Sequence, residues 1–177
     1  EGDIFVTAEA STVLSLTDEG IRAALASFVG EIDQVPSSVS AIEIDGKRAY
    51  DRVRAGEEVD IPSRRVTIHQ LEVGQINPGD GVIDVDVDVW CSSGTYIRAI
   101  ARDLGDVLGV GGHLTMLRRS HVGPFDVSQA CSPDAISPDR LLSLAEVASA
   151  IMPVVSATAA QTVEIGHGKQ VFLEAPD

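Results

Sequence analysis

Between Val82 and Arg119 the spacing of apolar residues switches from two to that of a helix, which calls for a fold that mixes strands and helices. Ile83, Val85, Val87 and Val89 alternate with Asp84, Asp86, Asp88 and Trp90. A period of two is that of a strand with one buried and one wet face. Ser92-Ser93-Gly94-Thr95 breaks the run, after which Ile97, Ile100, Ala101, Leu104, Val107 and Leu108 recur at helical spacing. Gly109, Gly111 and Gly112 end the helix, and a second short strand is expected over Leu114 to Arg119. The unit reads as strand, tight turn, helix, glycine corner, strand.

Its polar groups suggest more than a scaffold. The Ser92–Thr95 turn offers backbone N–H groups at a helix N-terminus, a place that favours an anion. Tyr96 and Arg98 fall in the first turn, and Arg98 and Arg102 share the face opposite the apolar stripe. A cation at that end opposes the helix dipole. Its presence points to a carboxylate or phosphate that Arg98 holds; a surface arginine without a partner is the plainer alternative.

The flanking segments read as support. Thr17 caps a helix with Asp18 and Glu19 in its first turn and Ile21, Ala24, Leu25 and Phe28 inward, and Gly30 suits its end. Gln34 to Ile44 reads as extended chain entering a hairpin turn at Asp45-Gly46, with Lys47 to Ala55 following as a short helix. Ile61 to Val73, then the turn Asn77 to Gly81, predict a hairpin into the central strand. Asp84, Asp86 and Asp88 lie about 6.7 Å apart in succession on a strand, but nothing nearby completes a metal shell, so they read as a solvated face. Beyond Phe125, Cys131 to Asp139 is a Pro- and Ser-rich loop. Ser143 and Glu146 form a capping box for a helix through Ala150 that Pro153 closes, and Thr162 to Ile165 reads as a strand before a turn at Gly166–Lys169.

With 177 residues, 44% of them hydrophobic, the chain suits one globular domain and a small second piece. Cys91 and Cys131 match no metal or redox spacing. No apolar run is long enough to span a bilayer, and no leader opens the chain, so cytoplasm is expected. A net charge of −14 speaks against nucleic acid as a partner, yet ten of the thirteen Lys and Arg lie between Lys47 and Arg119. A local basic patch on an acidic body remains compatible with RNA.

The order Ser-Ser-Gly-Thr-Tyr-Ile-Arg, Asp103-Leu104-Gly105, Gly112-His113 and Leu117-Arg118-Arg119 closely resembles the tRNA pseudouridine synthase B family (TruB). So do Gln34-Val35-Pro36, Ser40-Ala41, Gly46, Tyr50, Arg54 and Gly56, and Val122-Gly123-Pro124-Phe125. The resemblance spans roughly residues 17 to 130, and interleaved matches are far more specific than one short motif. It implies an α/β (α+β) fold with a mixed, largely antiparallel sheet and flanking helices. Residues 1–152 would form the C-terminal portion of the catalytic domain, and 153–177 the start of a truncated PUA-like RNA-binding module.

The implied reaction detaches uracil from ribose in the T-loop of tRNA, at position 55, turns the ring over and rejoins it through carbon. No cofactor or metal is implied. The target base is flipped out of its stack. By this resemblance Arg98 pairs with the catalytic carboxylate and Tyr96 lines the pocket wall, while Leu117 packs beside the base. Arg118 and Arg119 meet the RNA backbone, and His113, Lys47, Arg48 and Arg54 complete the substrate-binding set. His113 reads equally as a residue that stabilises the glycine corner. Family members often have an aromatic where Val39 stands and a lysine where Glu43 stands, and Glu43 would repel a phosphate. The family's nucleophilic aspartate sits in a Gly-Thr-Leu-Asp-type segment that does not occur here. The chain is therefore expected to be part of an enzyme, inactive alone, with an exposed edge through which it self-associates. A non-catalytic RNA-binding module is the alternative reading, and an acidic interaction domain that binds no RNA is a third.

Overall fold

The computed structural model describes residues 8–36, 43–44, 47–48 and 61–173. They divide into two compact units, Glu1–Met116 and Leu117–Asp177.

The first unit is an α+β assembly. Helices α1 (Ala10–Leu14) and α2 (Asp18–Ala26) precede a three-stranded antiparallel sheet of order β1 (Gly30–Gln34), β4 (Arg64–Pro78), β5 (Ile83–Cys91). Helix α3 (Ile97–Leu108) follows β5, and β2 (Glu43–Ile44) pairs with β3 (Lys47–Arg48) as a separate ladder. That ladder brackets Asp45-Gly46, where a hairpin turn was expected. Residues 47–48 are therefore strand, where a helix was expected to begin; pairing with β2 satisfies their backbone groups instead. Residues 49–55 of that expected helix lie outside the described residues.

Thr17 caps α2 by accepting the Gly20 N–H at 3.1 Å, and Asp18 and Glu19 occupy the first turn as expected. The C-terminal cap is Ser27, while Gly30, at φ 110°, opens β1. The alternation along β5 is realised, with the valines half-buried and the aspartates exposed. Two irregularities in the β4–β5 register, at Ile68/Gln70 and Val73/Ile76, each leave one more residue on β4 than on β5. Bulges of this kind free backbone groups and add twist. At the second, Arg22 of α2 donates to the carbonyls of Val73 (2.8 Å) and Gly74 (3.0 Å), tying helix to sheet where the ladder is interrupted.

The core forms where α2 and α3 meet the sheet. Phe28, Ile68 and Ile100 are buried together, with Ile32, Leu71, Val89, Cys91, Ile97 and Leu104 packed around them. Val107, placed in the apolar stripe by its spacing, is 62% exposed, and Ala99 is buried instead. Helix α3 ends at Gly109, at φ 71°, and the chain turns back so that Val110 and Gly111 donate to the Gly105 carbonyl at 2.9 and 3.1 Å. A Cβ on Gly105 would collide with the backbone of Gly111 and Gly112. The glycine corner is thus a place of backbone-to-backbone packing.

Residues 114–119 do not form the expected strand. Among the described residues they have no ladder partner, and without one a strand leaves its backbone groups unpaired.

In the second unit, β6 (His121–Val122) and β7 (Phe125–Asp126) make a short hairpin about Gly123-Pro124. Tight 3₁₀ turns at Pro133–Ala135 and Pro138–Arg140 shape the loop beyond. Helix α4 (Leu144–Ile151) has the expected Ser143/Glu146 capping box and stops before Pro153. Helix α5 (Ala159–Gly166) replaces the expected strand at Thr162–Ile165; Thr158 and Gln161 form a second capping box that starts it. No helix among the described residues is long and apolar enough to cross a membrane.

Candidate functional site

The turn between β5 and α3 is held from both sides. Ser92 takes the place of a further rung on β4: its N–H donates to the Thr67 carbonyl (2.8 Å), and its Oγ accepts the Thr67 N–H (2.9 Å). Thr95 Oγ1 closes the turn by donating to the Ser92 carbonyl at 2.9 Å. The N–H groups of the turn are therefore not all open to an anion. Ser92 spends its own on β4, and Tyr96, the residue at the N-cap of α3, gives its own to Gln34.

Gln34 was not singled out as a site residue by sequence reasoning. It ends β1, is only 1% exposed, and reaches the backbone of Tyr96 twice. Its Oε1 accepts the Tyr96 N–H at 2.7 Å, and its Nε2 donates to the Tyr96 carbonyl at 3.1 Å. The polarity of the two backbone groups fixes which way the amide faces. Across the β1–β4 ladder the partner of Gln34 is Arg64, whose guanidinium lies 5.6 Å from the centroid of the Tyr96 ring. One rung thus grips both ends of Tyr96: the buried amide holds the main chain, and the arginine faces the ring as a cation–π partner.

Arg102, one turn beyond Arg98, extends the anchor. It donates to the Val35 carbonyl at 2.8 Å and pairs with Asp103 at 2.6 Å. Asp103 is therefore already engaged as a structural partner. Arg98 stands on the exposed side of α3, and among the described residues it has no carboxylate partner. By contrast Arg65 pairs with Asp33 (3.5 Å) and Glu31 (3.9 Å) across β1. Of the ten cations from Lys47 to Arg119, Arg64, Arg65 and Arg102 make contacts within the first unit, and Arg98 faces outward beside the Gln34–Tyr96 anchor.

The remaining expected site residues fall elsewhere. His113 is exposed beyond the glycine corner, which backbone hydrogen bonds hold without it. Lys47 and Arg48 lie in β3, and Arg54 is outside the described residues. Leu117, Arg118 and Arg119 are exposed at the start of the second unit. In that unit Arg119 joins Ser120, His121, Val122, Phe125, Asp126 and Val127 around a shallow depression. His121 Nε2 lies 2.5 Å from Asp126 there, and hydrogen bonds from Ser128 hold the Asp126 carboxyl below its ordinary range. Among the described residues no group of three or more His, Cys, Asp or Glu is gathered to hold a metal ion.

Residues 1–97 match the sequence profile of the TruB family pseudouridylate synthase (N terminal domain). Residues 98–156 match that of the tRNA pseudouridylate synthase B C-terminal domain. The junction falls in the first turn of α3. Curated relatives called tRNA pseudouridine synthase B include one from Cutibacterium acnes, 48% identical over 99% of this chain and 60% of its own length. One from Corynebacterium efficiens is 50% identical over 96% of this chain and 57% of its own length. The chain thus spans well under two thirds of these relatives. A crystal structure of a Cbf5-Nop10-Gar1 complex is similar at a TM-score of 0.48 and 28% identity, over 63% of this chain and 28% of that one.

Proposed function

The chain belongs to the TruB family of pseudouridylate synthases, and from that premise we propose that the protein carrying it isomerises a T-loop uridine of tRNA, at position 55, to pseudouridine. The observation that carries the proposal is the anchor at the head of α3. A buried amide fixes the main chain of Tyr96, and two residues later Arg98 faces outward with no carboxylate partner among the described residues.

In this reading Arg98 receives the nucleophilic aspartate from a segment outside these 177 residues. The guanidinium keeps that carboxylate ionised and presents it with two parallel hydrogen bonds. The ionised carboxylate attacks the ribose C1′ as the bond from C1′ to uracil N1 breaks; the base turns over, C5 then bonds to C1′ and displaces the carboxylate, and the proton lost from C5 is balanced by one gained at N1. Tyr96, gripped at main chain and ring, is the wall against which the flipped base lies. Leu117, Arg118, Arg119, His113, Lys47, Arg48 and Arg54 serve the RNA. Residues 153–177 begin a separate RNA-binding piece, and the protein works in the cytoplasm. None of these steps calls on a metal or cofactor.

The test is mapping of pseudouridine in an unmodified tRNA transcript treated with the full polypeptide. One new pseudouridine, confined to the T-loop, is expected. Tight tRNA binding without any pseudouridine would favour a binding module instead.

A further inference from the structure

We propose that Gln34 is a positioning residue for the reaction, acting through Tyr96; the inference rests on the functional reading above. A side chain 1% exposed with two polar ends must have both ends satisfied, and here both are spent on one residue 62 positions away in sequence. That residue is neither in the ladder nor inside the helix. It is the N-cap of α3, at φ −101° and ψ 103°, where the chain changes from strand to helix and no side chain of its own caps the turn. A cap without a local partner is free to fray. Gln34 instead ties the N–H and carbonyl of Tyr96 itself to β1, and from the opposite residue on β4 Arg64 faces the Tyr96 ring.

The arrangement sets two things at once: the plane of the Tyr96 ring, and the direction in which the first turn of α3 projects Arg98. Both groups are placed on the reacting base and carboxylate in the proposed mechanism. A misplacement of about 1 Å in such groups costs about a hundredfold in rate. Arg102, bonded to the carbonyl of Val35 next in chain, keeps β1 and α3 from drifting apart and leaves the fine setting to the amide.

The experiment uses the full polypeptide and two near-isosteric variants. Gln34→Met keeps the volume and loses both hydrogen bonds. Gln34→Glu keeps the acceptor for the Tyr96 N–H, but its second oxygen faces the Tyr96 carbonyl. That contact is favourable only while the introduced carboxyl is protonated, so burial and the hydrogen bond both favour the protonated form. The ionisable groups around this contact are Tyr96, Arg64, Arg102 and Asp103, and dividing each variant's rate by the wild-type rate at the same pH removes pH effects common to both proteins. All rates are taken where melting curves remain on the folded baseline.

Gln34→Met is expected to lower kcat about ten- to a hundredfold with KM for tRNA little changed. Gln34→Glu is expected to approach the wild-type kcat in mild acid and to fall away as pH rises. Exchange of the Tyr96 amide proton is expected to be slow in the wild type and fast in Gln34→Met. Wild-type kcat in Gln34→Met, or a Gln34→Glu ratio that does not vary with pH, would overturn the proposal. Were the wild-type protein to form no pseudouridine, the functional reading would fall, and exchange would still judge the clamp. Protection lost in Gln34→Met upholds it; protection unchanged overturns it.

Discussion

Arg98 leaves α3 on its exposed side, away from the Phe28–Ile68–Ile100 core, so removing its side chain removes little packing. Arg98→Ala is expected to change unfolding free energy by no more than about 1 kcal/mol in urea while abolishing pseudouridine formation. Arg98→Lys is expected to stay inactive, because an ammonium group cannot present the planar fork that grips a carboxylate. Near-normal turnover in Arg98→Lys would contradict the role given to Arg98. Asp126 makes a prediction about pH. Its carboxylate accepts the Ser128 N–H at 2.6 Å; these Ser128 bonds depress its pKa, burial opposes them, and His121 adds a smaller pull in the same direction. A depressed carboxylate contributes stability above the unfolded value, about 3.9 for aspartate, and loses it as pH falls through the folded one. Exchange of the Ser128 amide should therefore speed up at acid pH in the wild type, relative to its intrinsic rate, and lose that dependence in Asp126→Ala. At this scale the exposed place of Arg98 in the first turn of α3 was legible, because it lies off the apolar stripe. Gln34 was not, because a lone polar residue has no periodicity and its partner lies 62 positions away.

Among the elements, α3 and its glycine corner admit a direct test. Gly105→Ala places a methyl group against the backbone of Gly111 and Gly112, which cannot move without opening the Val110 and Gly111 hydrogen bonds. A loss of about 1–3 kcal/mol in urea denaturation is expected, as for other overpacked sites. Strand β5 is an edge of its sheet among the described residues, and a nine-residue edge invites another strand. Pairing with a second copy would bring Asp84, Asp86 and Asp88 toward like charges, which opposes it. We expect weak self-association of the chain in sedimentation, strengthened when all three become Asn. An unchanged distribution would place any association elsewhere. The β4–β5 hairpin and α3 were legible from their apolar periods and glycine turns, and α2 and α4 from their apolar periods and N-terminal caps. Strand β1 was missed because Glu31 and Asp33 make a five-residue strand look polar, and its continuation Gln34-Val35-Pro36 reads as extended chain entering a turn. Thr162 to Ile165 misled because a short run with β-branched residues fits either structure. The Thr158/Gln161 capping box was the signal that could have decided it.

For the 177-residue chain as a whole, a net charge of −14 means that any RNA binding by it depends on a few local cations. Arg22, Arg65 and Arg102 make hydrogen bonds or ion pairs within the chain, and we propose that RNA binding rests on Arg118, Arg119 and the segment from Lys47 to Arg54. Each lost phosphate contact should lower the salt slope of tRNA binding by about 0.7 to 0.9, so neutralising Arg118 and Arg119 together should lower it by about twice that. An unchanged slope would put the RNA elsewhere. In the proposed enzyme these residues build the frame of a pseudouridine pocket, and the nucleophile comes from outside them. The most direct measurement is tritium release from tRNA labelled at uracil C5, comparing the 177-residue chain with the full polypeptide. The full polypeptide should release tritium in step with pseudouridine formed, and the chain alone should release none. Release by the chain alone, abolished by changing one of its own aspartates, would mean that the 177 residues carry the nucleophile themselves.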